Sequence, residues 1–271
     1  MSIEGINQDL CSKCKICMKV CDRRYFREDS SGNIVYENLT NNCIFCGHCI
    51  AACPEDAIKR SLNWEDNVKK YSEPVVSYEK IMQLLRMNRS IRNYKQKQVP
   101  RELIEKVFDA MRYAPSAGNA RLWRYKVLSN PEKIAELGDV ISRTMWGYWG
   151  YSSYEQAKEY FESMGRDTIF NKAPIVIILY LEREVPNNTM YAIWGVDTGI
   201  AITYGQLAAE SLGLGTCWMN VLLGAISVKK EEILKIIGIK GLVLGAMTLG
   251  YPEIKYSRPT PREPLDVEGL N

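Results

Sequence analysis

From Glu79 onward the apolar positions fall into periodic runs that separate helices from strands. EKIMQLLRM (79–87) repeats at helical spacing and predicts an amphipathic helix. Residues 88–94 (NRSIRNY) follow as an extended loop, and Pro100 opens RELIEKVFDAMRYA, where Leu103, Ile104, Val107, Phe108 and Met111 share one helical face. After the turn-rich PSAGN (115–119) come a strand around Trp123 to Leu128, a helix from Pro131 and the apolar strand APIVIILYL (173–181). Residues 189–212 are apolar almost all round and carry Gly195, Gly199 and Gly205. A helix with no polar face has to be buried, and its small residues admit a second backbone closely, which suits the core of a homodimer. Residues 242–250 predict a last apolar strand, and the tail to Val267 holds Pro252, Pro259, Pro261 and Pro264, which predict extended chain. Residues 63–78 are polar, contain Pro74 and show no period, so they are expected to be a linker between a domain at 1–62 and one at 79–271. Strands and helices are mixed without βαβ alternation, which predicts an α+β sandwich.

The length of 271 residues fits two domains, and 46% apolar with 25% charged residues is ordinary globular composition. The longest apolar run is far below the roughly 18 residues of a membrane span, and the start MSIEGINQDL has no apolar stretch of the kind a signal peptide carries. A net charge of +3 is too balanced to suggest nucleic acid or an anionic membrane, and residues 1–62 hold eight cations against eight acids. One histidine makes chemistry built on several histidines improbable. The expected setting is a reducing, oxygen-poor cytoplasm.

Nine cysteines change the picture, because eight lie between Cys11 and Cys53. Cys11, Cys14, Cys17 and Cys21 repeat the spacing of Cys43, Cys46, Cys49 and Cys53, each run reading C-x2-C-x2-C-x3-C. Three thiolates at steps of three wrap an inorganic cube from one loop, while the x3 gap swings the fourth away. A disulfide framework would need an oxidising compartment, zinc sites would use well-separated C-x2-C pairs, and a purely structural iron-sulfur domain is a third reading. So short a segment needs staples or metal to fold. His48, inside the second triplet, reads as a bystander or a donor to sulfur.

This segment resembles the bacterial-type 2[4Fe-4S] ferredoxin domain. The resemblance implies a crossed ligand set: one [4Fe-4S] cluster on Cys11, Cys14, Cys17 and Cys53, the other on Cys43, Cys46, Cys49 and Cys21. The first run ends Cys21-Asp22 where Cys-Pro is the pattern.

Three stretches of the second segment suggest a flat, phosphorylated ligand. Arg89-Ser90-Ile91-Arg92 offers two guanidinium forks and a hydroxyl for phosphate oxygens; Pro115-Ser116-Ala117-Gly118-Asn119 is a tight turn of small side chains; and Leu214 to Asn220 (LGTCWMN) follows the apolar helix. With Leu249-Gly250-Tyr251-Pro252 and Pro261-Arg262 at the end, their order is similar to that of the FMN-dependent nitroreductase superfamily. Arg121 and Leu122 depart from the Gln-Pro of many relatives. The resemblance implies a three-layer, nitroreductase-like sandwich. It also implies that Arg89, Ser90, Arg92 and Arg262 hold the FMN phosphate and ribityl chain. Pro115, Ser116 and Asn119, from the other subunit, would flank the ring, with backbone at Trp218, Met219 and Asn220 at its edge, so that FMN lies at a homodimer interface. Cys217 reads as a small core residue, and the aromatic run Trp146 to Phe161 as core or interface filler or a cap over the flavin.

Joined, the two segments predict an oxidoreductase passing electrons between two clusters and FMN to reduce a nitroaromatic or quinone. The chain lacks G-x-G-x-x-G and G-x-x-x-x-G-K-[ST], but the resemblance implies nicotinamide binding without a Rossmann domain, so NAD(P)H and a partner ferredoxin both stand as donors. The alternative is a non-catalytic carrier relaying electrons to a partner protein.

Overall fold

The computed structural model describes residues 2–61, 76–163, 165, 169–183 and 187–269. The expected linker therefore lies outside the described residues as far as residue 75. Two compact units emerge: residues 2–61 with 118–120, and residues 76–117 with 121–269.

The first unit is built as two similar halves. Strand β1 (Ile3–Ile6) pairs antiparallel with β4 (Ile58–Arg60), and β2 (Phe26–Glu28) with β3 (Ile34–Tyr36). Between them lie two short helices, α1 (Ile16–Val20) and α2 (His48–Ala52). Its core is small: Ile3, Ile6, Phe26, Ile34, Ile50, Ala57 and Ile58, with six cysteines packed against it.

The second unit has three layers. Its sheet runs β5 (Arg124–Leu128), β6 (Ile175–Leu181), β8 (Leu242–Gly250), β7 (Gly215–Trp218), antiparallel throughout. Helices α4 (Arg101–Arg112) and α7 (Asn188–Ser211) cover one face, and α5 (Pro131–Met145) and α8 (Asn220–Ile237) the other. Strand β6 explains why its sequence is continuously apolar. Ile175, Ile177 and Leu179 enter the core under α4 and α7, while Val176 and Ile178 enter the core under α5 and α8, as expected of a strand buried on both faces. Helix α3 (Tyr78–Met87), capped by the Ser77 hydroxyl accepting from the Lys80 amide at 3.5 Å, lies beside α7, and α6 (Tyr154–Ser163) follows the 3-10 turn Trp146–Trp149.

Helix α7 departs from the expectation of full burial. Ala201, Ile202, Gly205 and Ala209 are buried, but Val196 is 63% exposed, and Tyr191 and Tyr204 also face outward. The tail is exposed from Glu253 onward, with Leu265 at 89%. Among the described residues no helix is long and apolar enough to cross a membrane.

Candidate functional site

In the first unit the repeated cysteine spacing becomes a repeated backbone. Left-handed residues occur at matching places: Lys13 and Phe45 (φ 54° and 48°), Lys15 and Gly47 (61° and 76°), Arg24 and Asp56 (55° and 49°). A non-glycine residue in this region costs on the order of 1–2 kcal/mol, so five of these six positions hold strain. The fourth cysteine of each run, Cys21 or Cys53, leaves its helix in extended conformation. Its sulfur then accepts from the amide four residues on: Tyr25 N to Cys21 Sγ at 3.5 Å, and Ala57 N to Cys53 Sγ at 3.3 Å.

The thiols sort across the repeats. Cys11, Cys14, Cys17 and Cys53 line one cavity, with about 340 Å³ of empty space partly open to solvent. Cys43, Cys46, Cys49 and Cys21 line another, with about 520 Å³ of space likewise partly open to solvent. All eight are free thiols. Among the described residues no three His, Cys, Asp or Glu side chains converge closely enough to hold a single metal ion; each set rings a volume rather than a point. Burial, with the charges of Cys46, Cys21 and Cys43 adding to it, pushes the Cys49 thiol up to about 11. Burial raises Cys17 too, with Cys11 and Cys14 contributing. Protonated thiols packed this closely suit a polynuclear cluster whose metal takes the place of the protons. His48 opens α2 and lines the second cavity.

In the second unit the Arg89–Arg92 loop is laid against β7. Ser90 bridges Thr216 in parallel, and the Ile91 amide donates to the Thr216 carbonyl at 2.8 Å. Gly215 permits this approach, since a Cβ there would stand 2.4 Å from Ile91 Cγ1. Ser90 and Arg92 are left exposed, while Arg89 donates to the carbonyls of Asn88 (2.7 Å) and Arg258 (3.4 Å). Arg262 lies exposed in the tail. The Thr216 hydroxyl is buried and has no hydrogen-bond partner among the described residues.

Behind the loop, the Cys217 thiol is buried, hydrogen-bonded by Ser90 and close to Arg92; burial nonetheless raises it. Tyr94, also raised by burial, joins Thr248 at 2.7 Å, and Thr248 accepts from the Cys217 amide at 3.1 Å. This buried polar chain, and the Ser90–Thr216 bridge, connect residues distant in sequence, so no local pattern could have shown them.

The remaining predicted residues are spread around this core. Trp218 lies over Gly199 and Gly245 and donates to Asn220, which is exposed; Met219 is buried, its amide donating to Ala246 O at 2.8 Å. Pro115 is exposed, and the Ser116 hydroxyl accepts from the Arg121 amide at 3.0 Å. Asn119 ends the 3-10 turn Ala117–Asn119 with φ 54° and is grouped with the first unit. Asp197, buried on α7 and not singled out from the sequence, accepts the Ala117 amide at 3.2 and 3.1 Å through its two oxygens; an acid in the middle of an apolar helix was the available signal. In the aromatic run, Tyr151, Tyr160 and Phe161 pack on one another with centroids 5.7–6.1 Å apart, and Tyr148 is exposed.

Comparison with known proteins places both segments. Residues 85–251 match the nitroreductase family model, and residues 10–58 match a 4Fe-4S dicluster domain. The chain is 26% identical over 192 residues to an FMN reductase [NAD(P)H] of Bacillus subtilis, covering 69% of this chain and 71% of that one. It is 27% identical over 214 residues to 4-nitrobenzoate reductase of a Nocardioides species, covering 68% and 86%. The crystal structure of a nitroreductase with bound FMN from Desulfitobacterium hafniense shares the fold at a TM-score of 0.54 and 24% identity, covering 67% of this chain and 93% of that one.

Proposed function

Because the chain belongs to the nitroreductase family, we propose that it is an FMN-dependent oxidoreductase fed through two [4Fe-4S] clusters, reducing a small nitroaromatic or quinone. The observation that carries the cluster-fed part of this reading is the sorting of eight cysteines into two cavities of four thiols each, every set drawing its last member from the other repeat. In this reading Cys11, Cys14, Cys17 and Cys53 hold one cluster and Cys43, Cys46, Cys49 and Cys21 the other.

Arg89, Ser90, Arg92 and Arg262 bind the flavin phosphate; the exposed Ser90 and Arg92 offer a hydroxyl and a guanidinium to an anion. Ser116 and Asn119, with backbone at Pro115, flank the ring, and backbone from Trp218 to Asn220 meets its edge. When bound, the clusters supply single electrons and the flavin a two-electron step. Two copies pair to complete the site, a reading supported by the outward Val196, Tyr191 and Tyr204 of α7 and by the exposed tail. NAD(P)H or a reduced ferredoxin serves as donor, and the setting is a reducing cytoplasm.

Anaerobic purification tests this directly. Iron and labile sulfide should each reach about eight per chain, with about one FMN. The photoreduced protein should be reoxidised by nitroaromatics or quinones faster than free FMN is. Stoichiometric zinc without sulfide would overturn the cluster assignment. Reoxidation by a protein acceptor alone would replace catalysis with an electron relay.

A further inference from the structure

Given the two-cluster reading above, on which this rests, we propose that Tyr36 sets the reduction potential of one cluster alone, the one held by Cys21, Cys43, Cys46 and Cys49. Tyr36 ends β3, two residues after the fully buried Ile34, and pairs with Phe26 across the hairpin. Its ring is wedged between Phe26 (centroids 5.1 Å apart) and Tyr25 (6.2 Å, edge-on), which fixes where its hydroxyl points. It lines the second cavity together with all four thiols of that set. Burial raises its phenol above the usual range, and the neighbouring Cys43 thiol, then Cys49 and Cys21, add to that, which sets the hydroxyl beside the sulfurs of this set. The first cavity is lined by Ser12, Lys15, Glu55 and aliphatic side chains beside its cysteines, and by no tyrosine. The halves that match in backbone thus differ here in chemistry.

Reduction adds negative charge to a cluster and its sulfurs. A hydroxyl donating to a ligating sulfur favours the more negative state, and so raises the potential. A phenol, protonated below about pH 10, donates throughout the neutral range. Tyr36 is therefore a positioning residue whose effect is read in a potential and not in cluster content.

The test is an anaerobic potentiometric titration of the holoprotein, followed by electron paramagnetic resonance, for the wild type and Tyr36→Phe. The variant keeps the ring and loses the donor. One cluster potential should fall, by a three- to tenfold drop in its reduced-to-oxidised ratio at fixed potential, about 30–59 mV for one electron; the other should stay. Wild-type spectra in heavy water should also lose, at that cluster alone, a coupled exchangeable proton beyond those of the amides bonded to Cys21 and Cys53, and this stands even if the variant loads poorly. Equal movement of both potentials, movement of neither, or the same exchangeable protons at both clusters overturns the proposal. Iron and sulfide counts on the same wild-type sample separate this failure from that of the cluster reading, which falls if they are well below about eight.

Discussion

Glu210 sits on α7 facing Arg89, and burial raises its carboxyl above the usual range even though the guanidinium pulls it down. The shift has a sign that can be checked. A carboxyl whose folded value is raised contributes its stability below the unfolded value near 4.5, and that contribution is lost as pH rises through the folded value. Glu210→Gln removes the ionisation. The variant should therefore match the wild type most closely in stability at acid pH and gain on it toward neutrality, read as denaturation midpoints between pH 4 and 7. A difference that does not change with pH would show that Glu210 ionises as freely in the fold as outside it. Residue-scale features of this kind were hidden in the sequence. Arg89 and Glu210 are far apart along the chain, as are Ser90 and Thr216, and only the fold brings each pair together. The cysteine runs were legible because their partners are local, within steps of three and four.

At the scale of elements, α7 carries both the clearest success and the clearest departure. Its span, Asn188–Ser211, lies within a residue of that expected from the apolar run 189–212. The apolar strand at 173–181 is found as β6 at Ile175–Leu181, and the extended tail is found where the prolines lie. Periodicity reports which faces avoid water, however, and not what covers them. One face of α7 packs on β8 and α4, whereas Val196, Tyr191 and Tyr204 are uncovered in a single chain. A second copy on that face predicts that Val196→Asp, which sets a charge on it, shifts the protein from dimer toward monomer in sedimentation. If, as proposed, pairing completes the site, FMN retention should fall in parallel. A variant still dimeric with its flavin retained would place the contact elsewhere.

Over the whole molecule the two units differ in how they are held. The second has a double core with a sheet buried on both faces. The first rests on seven buried apolar residues and on loops strained at six non-glycine positions within residues 2–61, so much of its order depends on what its thiols bind. The crossed sharing of Cys21 and Cys53 adds a further constraint. In the two-cluster reading neither cage closes without a strut lent by the other half of this unit, so filling one should draw the opposite loop into place for the next. Iron scarcity should then yield empty and fully charged molecules side by side, with singly filled ones rare. Native mass spectrometry during stepwise reconstitution should record two dominant masses separated by a pair of cubes.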